Sequence, residues 1–232
     1  MKPFLLLLTV AALGLGSCST PTQASSEPAA AAKPTALPAA FTPQNSAILL
    51  VDHQDMTVGW IKSQPKENVL ANVRLLARLG TEMHIPLVVT STMEVQIGTN
   101  IKEVQQLAPA AYAQRVKRGG TLNCFLDPAF AAAVKATGRQ KLIVAGLTTD
   151  ICLMHTVKGA LRAGYTVQVV ADACGSMTPL ADEVTFARLR GLGATVTDGN
   201  QMLSELYSDF GTPEGQRAQK INLEEVISKL PK

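Results

Sequence analysis

Residues 142–152 read Leu-Ile-Val-Ala-Gly-Leu-Thr-Thr-Asp-Ile-Cys, and this stretch decides the fold. Its apolar first half predicts a strand from Lys141 to Ala145 that is buried on both faces of a parallel sheet. Gly146 permits a tight turn, and the polar residues behind it can cap a helix over 149–163. The stretch therefore predicts a strand, a turn and a helix, with Cys152 in the first helical turn.

The same strand and helix pattern recurs along the chain. It predicts strands at 47–51, 85–90, 167–171 and 194–197, a short strand near 112–116, and helices at 65–82, 127–136, 179–192 and 201–210. Strands that alternate with helices require crossover connections, which give a mostly parallel sheet covered on both faces. We therefore expect an α/β fold, a three-layer α/β/α sandwich with a Rossmann-like sheet. Ligands of such sheets bind beyond the carboxyl ends of the strands, where the strand order reverses.

The composition sets broad limits on function. The chain has 232 residues, of which 47% are apolar and 17% are charged, so it can bury an ordinary core and is neither collagenous nor wholly disordered. The net charge is only +3 and there are ten aromatic residues, too little for a nucleic-acid footprint or a base-stacking platform. We expect no nucleic-acid partner.

The N-terminus is typical of an export signal. The apolar run from Phe4 to Leu15 is too short to span a bilayer and matches the core of a signal peptide. The sequence Leu15-Gly-Ser-Cys18 resembles a lipoprotein cleavage site, so we expect a signal peptide over 1–17 and a lipid on Cys18. The alternative is an ordinary signal peptide that is cleaved elsewhere. Ser19 is not Asp, which by resemblance to lipoprotein sorting rules favours the periplasmic side of the outer membrane.

The mature chain is expected to have two parts. Residues 18–42 are mostly Ala, Pro, Ser and Thr, which cannot bury enough surface to offset the entropy of ordering, so they predict a flexible tether. Residues 43–232 are expected to form a single folded domain. The lipid on Cys18 would then be the only contact with a membrane.

Two residues at predicted strand ends are candidates for chemistry. A thiol in the first turn of a helix is expected to have a lowered pKa, because the helix N-terminus favours the thiolate, and nearby amides could hold an oxyanion. Cys152 has this position, although a buried cysteine can also simply pack a helix on a sheet. Asp52 follows five apolar residues, where a charge is costly unless it has a partner. It is either a base beside the thiol or a cap for the next loop.

A third candidate lies in a cationic stretch. Residues 115–118 contain three cations and precede the pair Gly119 and Gly120, which lets backbone approach a ligand. A cation near both Asp52 and Cys152 would stabilise the two negative groups. The alternative is a solvated, charged face.

Four segments together resemble the isochorismatase-like cysteine hydrolase superfamily, and within it the YcaC-type branch. They are Leu-Leu-Val-Asp-His-Gln at 49–54, Lys-Arg-Gly-Gly-Thr-Leu-Asn at 117–123, Ala-Ala-Ala-Val-Lys-Ala-Thr-Gly at 131–138, and Val-Ala-Gly-Leu-Thr-Thr-Asp-Ile-Cys at 144–152. The resemblance covers about residues 46–210. Its order, its spacing and the predicted local structure agree.

The resemblance implies roles for three residues. Asp52 would be the general base, Cys152 the nucleophile, and Arg118 the cation of the triad. Many relatives have Lys in the third role, which makes the adjacent Lys117 the competing candidate. In a strand the two side chains point to opposite faces, so only one can face the site.

The resemblance further implies the surroundings of the triad. It implies a cis peptide bond between Leu147 and Thr148, and an oxyanion hole formed by the amides of Thr148 and Cys152. Pocket residues would be Glu94, Asn123 and Lys117.

The activity implied by the resemblance is hydrolysis of a small amide or N-carbamoyl compound through a Cys152 thioester, with no cofactor and no metal. Nicotinamidases of the superfamily bind a metal through Asp and several His, but this chain has only three His, none at ligand spacing over 93–100. A true isochorismatase needs no nucleophilic thiol. Both activities are therefore disfavoured. The resemblance also implies a homo-oligomer, because relatives commonly form one.

Two other classes of function stay open. The chain could be an exported thiol protein that senses oxidation, in which Cys124 pairs with Cys152. It could also be a binding lipoprotein that has lost catalysis, in which case replacement of Cys152 by Ala would change nothing.

Overall fold

The computed structural model describes residues 39–229. The predicted signal peptide, Cys18 and most of the predicted tether lie outside the described residues. Phe41 falls within the stretch predicted as tether, but its side chain is buried in the core. The ammonium of Lys141 lies 4.9 Å from the centre of its ring.

The core of the described chain is one sheet of six parallel strands. These are β1 (Ser46–Val51), β2 (Leu87–Thr92), β3 (Val116–Arg118), β4 (Lys141–Gly146), β5 (Thr166–Val170) and β6 (Thr195–Thr197). Their order is β3-β2-β1-β4-β5-β6, and every neighbouring pair is parallel. The predicted Rossmann-like α/β fold is confirmed. The strand order reverses between β1 and β4, which places a ligand site at the carboxyl ends of these two strands.

Ten helices cover the sheet in the described residues. They are α1 (Asp55–Gly59), α2 (Lys66–Glu82), α3 (Glu94–Ile97), α4 (Lys102–Leu107), α5 (Pro109–Ala113), α6 (Pro128–Ala136), α7 (Met154–Arg162), α8 (Pro179–Gly191), α9 (Gly199–Leu206) and α10 (Pro213–Glu225). Helix α2 packs on β1 and carries α4 and α10, whereas α7 and α8 pack on β5 and β6 and on each other. The helices form the outer layers of the sandwich. No helix within 39–229 has the length and apolarity needed to cross a bilayer.

Local sequence explains the elements next to the site. All six residues of β1 are buried, as expected for a central parallel strand with helices on both faces. Helix α6 begins as predicted, because Asp127 accepts hydrogen bonds from the amides of Ala129 and Phe130 and Pro128 occupies the first turn. A π-helical turn, Thr149–Leu153, precedes α7, so Cys152 lies in a widened turn and not in an α-helical one.

The predicted short strand near 112–116 was wrong. Tyr112 lies in α5, and β3 begins only at Val116. Pro109 at the start of α5 favours the helix, and the guanidinium of Arg115 stacks 4.1 Å from the ring centre of Tyr112. This stacking keeps Tyr112 outside the sheet.

The C-terminal helices also differ from the prediction. Helix α9 ends at Leu206 and not at Phe210, and the sequence analysis did not predict α10. Helix α10 has few apolar residues, and ion pairs help to hold it on α2. Arg74 pairs with Glu225 at 3.0 Å, and Arg78 pairs with Glu224 and Glu225 at 2.8 and 2.9 Å.

Candidate active site

The strands β1 and β4 bring Asp52 and Cys152 to the same edge of the sheet. Val51, the last residue of β1, is in register with Gly146, the last residue of β4. A Cβ at position 146 would lie 2.9 Å from the Cβ of Val51, so glycine allows this close approach. Asp52 directly follows β1, and Cys152 lies in the π-helical turn after β4. Both residues therefore stand where the strand order reverses.

Asp52 is a fully buried carboxylate with two side-chain donors. One carboxylate oxygen, Oδ2, accepts a hydrogen bond from Nη2 of Arg118 in a buried ion pair. The other oxygen, Oδ1, accepts from the hydroxyl of Thr90 at 2.6 Å. The backbone of Asp52 is in the left-handed region at φ 55°, which is uncommon for a residue other than glycine. Asp52 is therefore held in place by neighbours from β2 and β3.

Arg118 faces the site and Lys117 does not. The side chain of Arg118 is buried, and besides Asp52 its Nη1 donates to the carbonyl of Thr121. The side chain of Lys117 is 61% exposed. The alternation of side chains in a strand explains the difference, because only every second residue points to the same face.

The structure does not bring Glu94 to Asp52. Its carboxylate accepts hydrogen bonds from Arg115 and Ser91, both at 2.7 Å, and lies 3.4 Å from the ammonium of Lys117. Ser91 is in register with Lys117, so these residues lie on the face of the sheet opposite to Arg118. Arg115 chiefly lowers the pKa of Glu94, to about 2. Glu94 and Lys117, expected in the pocket, form a charged cluster with Arg115.

Asn123 contacts a short turn and a helix. Its side-chain oxygen accepts from the amide of Phe125 at 3.0 Å and so caps a short 3-10 helix at 124–126. The side chain packs against Gly159 of α7, where an added Cβ would overlap Oδ1. The structure therefore shows Asn123 linking the 119–126 loop to α7.

The predicted low pKa of Cys152 was wrong. The residue is 7% exposed, and burial raises the pKa of its thiol well above the ordinary value. The negative charge of Asp52 raises the pKa further, whereas Arg118 lowers it. Position at a helix start predicted the opposite, but burial has the largest effect on this thiol. The thiol is protonated at neutral pH.

The expected cis peptide bond between Leu147 and Thr148 is confirmed. It lies between β4 and the π-helical turn. The amide of Leu147 donates to the carbonyl of Val51 at 3.0 Å, and Thr148 is 2% exposed. Thr148 and Cys152 thus flank the buried end of β4.

Sequence reasoning missed Thr90 beside the carboxylate, and it named Cys124 only as a possible disulfide partner of Cys152. Thr90, on β2, contacts Asp52 directly. Cys124 is buried, close enough to Asp52 and Arg118 for both charges to act on it, and burial raises the pKa of its thiol to about 11. A usable signal for Thr90 is its place at the polar end of a predicted apolar strand. Cys124 directly follows the motif at 117–123.

The ring of His53 is held by a backbone carbonyl. Its ring is fully buried, and Nε2 lies 2.9 Å from the carbonyl of Ala173, so this nitrogen carries the proton. Burial lowers the pKa of His53 to about 4, so the ring is neutral at neutral pH. Within residues 39–229 no three His, Cys, Asp or Glu side chains are grouped as a metal site. All three cysteines of the described region are free thiols.

Comparison with known proteins identifies relatives of this arrangement. A model of the isochorismatase domain matches residues 46–201. The probable hydrolase YcaC of Escherichia coli is 30% identical over 167 residues, which cover 72% of this chain and 79% of that protein.

Solved structures give the same relationship. A structure of YcaC from Pseudomonas aeruginosa with hexane-2,5-diol and covalent acrylamide has a TM-score of 0.75 and 28% identity over 82% of this chain and 93% of that one. Escherichia coli YcaC, described as an octameric hydrolase of unknown specificity, has a TM-score of 0.76 and 26% identity over 85% and 94%.

Proposed function

The chain belongs to the isochorismatase family of hydrolases, and from this premise we propose that it is a cysteine-dependent hydrolase of small amides or N-carbamoyl compounds. The observation that carries the proposal is the buried ion pair of Asp52 with Arg118, at the edge of the sheet to which the paired strands β1 and β4 also bring Cys152. Nucleophile, base and compensating cation are thus in one place.

The first half of the reaction forms a thioester. Asp52 takes the proton from the thiol of Cys152 as sulfur attacks the carbonyl carbon of the substrate. The amides of Thr148 and Cys152 hold the oxyanion. When the carbon-nitrogen bond breaks, Asp52 returns its proton to the departing ammonia or amine, and the acyl group stays on sulfur.

The second half restores the enzyme. Asp52 takes a proton from water, whose oxygen attacks the thioester carbon, and the proton passes to the sulfur as the acid leaves. Proton transfer between Cys152 and Asp52 moves one negative charge from oxygen to sulfur without changing the net charge beside Arg118. This balance explains how a thiol with a raised pKa can still act as a nucleophile.

The proposal predicts an acyl-enzyme on Cys152. Primary amides and N-carbamoyl compounds are incubated with the protein, ammonia release is measured, and adducts are sought by intact mass and peptide mapping. We expect Cys152→Ala to abolish both signals and Asp52→Asn to slow turnover about 100-fold or more, because a general base contributes this much. Cys174→Ala is the matched control, since this buried thiol donates to the carbonyl of Val170 and contacts none of the triad.

Several outcomes would contradict the proposal. If no compound gives turnover or adduct, the hydrolase assignment fails. If Cys152→Ala is as active as the parent chain, a binding protein is favoured. If peroxide converts Cys124 and Cys152 into a disulfide while no amide is cleaved, the thiol-sensing alternative is favoured.

We also propose that the protein acts as an exported homo-oligomer. The YcaC relative is octameric, and this chain exposes large apolar side chains such as Val95 at 95%, Leu126 at 71% and Leu180 at 64%. Export and a lipid on Cys18 rest on the N-terminal sequence pattern alone. The substrate would then be a small molecule met outside the cytoplasm.

A further inference from the structure

Helix α8 exposes an apolar stripe and buries polar side chains. On its inner side it buries Asp182, Thr185 and Leu189, so two of these three residues are polar. Leu180 and Val184, by contrast, are 64% and 55% exposed. A surface helix of a globular protein has the opposite arrangement, with its apolar face toward the core. The outer face of α8 is therefore typical of a surface that another chain covers.

The stripe has the spacing of a seam between two helices. Leu180, Val184, Ala187 and Gly191 are all exposed, and they follow one another at intervals of four, three and four residues. This alternation puts them on one side of the helix, in the a and d positions of a heptad. The larger side chains lie in the first half of α8 and the two smallest in the second half. A second α8 laid antiparallel would therefore meet large side chains with small ones.

Pairing of the a and d positions gives the register. In an antiparallel pair of helices, each a residue lies opposite a d residue of the other chain. Val184 then packs against the partner's Ala187, and Leu180 packs against the partner's Gly191. A Cβ at position 191 would meet no atom of the described chain within 4 Å, so this place is open to a neighbour. Because the surface pairs with itself, a two-fold axis forms every contact twice.

The charges beside the stripe match in the same register. Glu183 directly precedes Val184, and Arg190 directly precedes Gly191. These flanking positions meet across an antiparallel pair, so Glu183 lies beside the partner's Arg190. Both side chains are exposed, and the ion pairs of residues 39–229 all involve other groups. Charge complementarity therefore favours a second copy of this chain as the partner.

The ends of the helix pair add another contact. Beside the end of α8, a cavity of about 220 Å³ is lined by Lys158, Leu161, Arg162 and Leu192. Met177 lies two residues before the start of α8 and is 50% exposed. The antiparallel register carries the partner's Met177 past the end of α8, toward this cavity. A flexible thioether side chain can fill an irregular space of this kind.

We propose that the outer face of α8 is a two-fold interface with a second copy of this chain, in which the two α8 helices pack antiparallel. The inference rests on the proposed homo-oligomer, of which it names one contact surface, and does not depend on the hydrolase activity. Helix α8 also packs on the π-helical turn, so one helix separates the interface from the turn that carries Cys152.

Charge reversal tests the pairing of Glu183 with Arg190. The mass of the purified protein is measured by light scattering over a dilution series for Glu183→Arg, for Arg190→Glu and for the double variant. Each single change brings like charges together, so we expect the mass to fall to about half of the parent value or less. The double variant is expected to restore the mass. Glu214→Arg is the matched control, because this exposed glutamate lies in the first turn of α10 and its mass is expected to stay unchanged.

A disulfide tests the direction of the pair. In Leu180→Cys/Gly191→Cys the two sulfurs can meet only between chains, because eleven residues of helix separate them within one chain by about 16 Å. Under mild oxidation we expect a covalent dimer from the double variant and none from either single variant. A covalent dimer of Leu180→Cys alone would overturn the antiparallel register.

The outcomes separate the interface from the oligomer and from the activity. A parent chain that is monomeric overturns the oligomer and the interface together, and hydrolysis of amides by that monomer would leave the hydrolase assignment standing. If the parent is an oligomer whose mass no α8 variant changes, and the double cysteine variant forms no disulfide, only the inference about α8 fails. Every changed residue is exposed, so restored mass in the double charge variant also shows that the fold is kept.

Discussion

At the scale of single residues, arginine fits the site better than lysine would. Arg118 uses one guanidinium nitrogen for Asp52 and another for the carbonyl of Thr121, which requires a planar fork with several donors. A lysine ammonium can donate in several directions but cannot hold that plane. The cation is thus bound to the loop and to the base at the same time.

His53 predicts a pH dependence of stability. Its pKa is about 4 in the folded protein against 6.5 when unfolded, so the unfolded chain binds the proton more readily between these values. Stability is therefore full above pH 6.5 and falls as the pH drops toward 4, by about 3 kcal/mol from this residue. We expect His53→Gln, which can still donate to Ala173, to lose much less stability over this range, as measured by urea unfolding.

The free energy of unfolding of the parent chain must be compared with that of His53→Gln at each pH. Burial raises the pKa of Asp172 to about 6, so this carboxyl stabilises the fold at low pH and opposes His53 over the same range. Both chains carry Asp172, and its contribution cancels in the difference. Parallel curves for the parent and His53→Gln would contradict the prediction.

Sequence reasoning selected three candidate residues but could not describe most of the groups around them. Asp52, Arg118 and Cys152 stand at the ends of apolar runs or in recognisable motifs, so their residue types and spacing identify them. The pKa of the Cys152 thiol could not be read in this way, because it depends on burial and on the distance to a carboxylate one hundred residues earlier. Thr90 was missed for the same reason: only the pairing of β2 with β1 shows its neighbour.

At the scale of elements, the packing of α7 against the 119–126 loop depends on a glycine. Gly159 lies against the side chain of Asn123, which caps the 124–126 turn that carries Cys124. The absence of a Cβ at this position lets the helix and the 119–126 loop meet. The loop that follows Arg118 and provides Thr121 is thereby connected to the helix that follows Cys152.

This contact predicts a change of sign between two backgrounds. Gly159→Ala in the parent chain is expected to destabilise by about 1–2 kcal/mol, because the new methyl group overlaps Asn123. In an Asn123→Ala background the same change is expected to stabilise by up to about 1 kcal/mol, since alanine favours a helix. Urea unfolding of the parent chain, the two single variants and the double variant measures the coupling energy between Gly159 and Asn123.

Gly191→Ala is the control for helix propensity. This glycine ends α8, and a Cβ added to it would meet no neighbouring atom within 4 Å, so its substitution should have the same effect in both backgrounds. If Gly159→Ala changes the free energy of unfolding equally in the two backgrounds, the contact with Asn123 contributes nothing to stability.

Elements could be predicted where local pattern and burial agree. The strands β1, β4 and β5 are apolar runs between turns, and the sequence analysis located them within a residue or two. β3 has only three residues and contains two cations, so no apolar run in the sequence indicates a strand there. α10 was missed because ion pairs to α2 contribute to its packing, and such pairs depend on the tertiary fold.

At the scale of the whole molecule, the proposed lipid and the proposed oligomer can be examined together. Cys18→Ser is expected to abolish incorporation of labelled palmitate and to move the protein from the membrane pellet to the soluble fraction. Light scattering on the released protein is expected to give a multiple of the mass of one chain. Palmitate labelling that persists in Cys18→Ser would rule out this lipid site, and a monomer mass would rule out the oligomer.

The pairing of β1 with β4 makes the site a product of the completed fold. Asp52 emerges about a hundred residues before Cys152 during synthesis, and the strand that joins them, β4, is assembled after β2 and β3 have been made. A nascent or truncated chain that ends before β4 carries the acid without its sulfur. Release of ammonia from an amide is accordingly expected only from a finished molecule, and its rate can be used to compare the share of correctly folded copies between preparations.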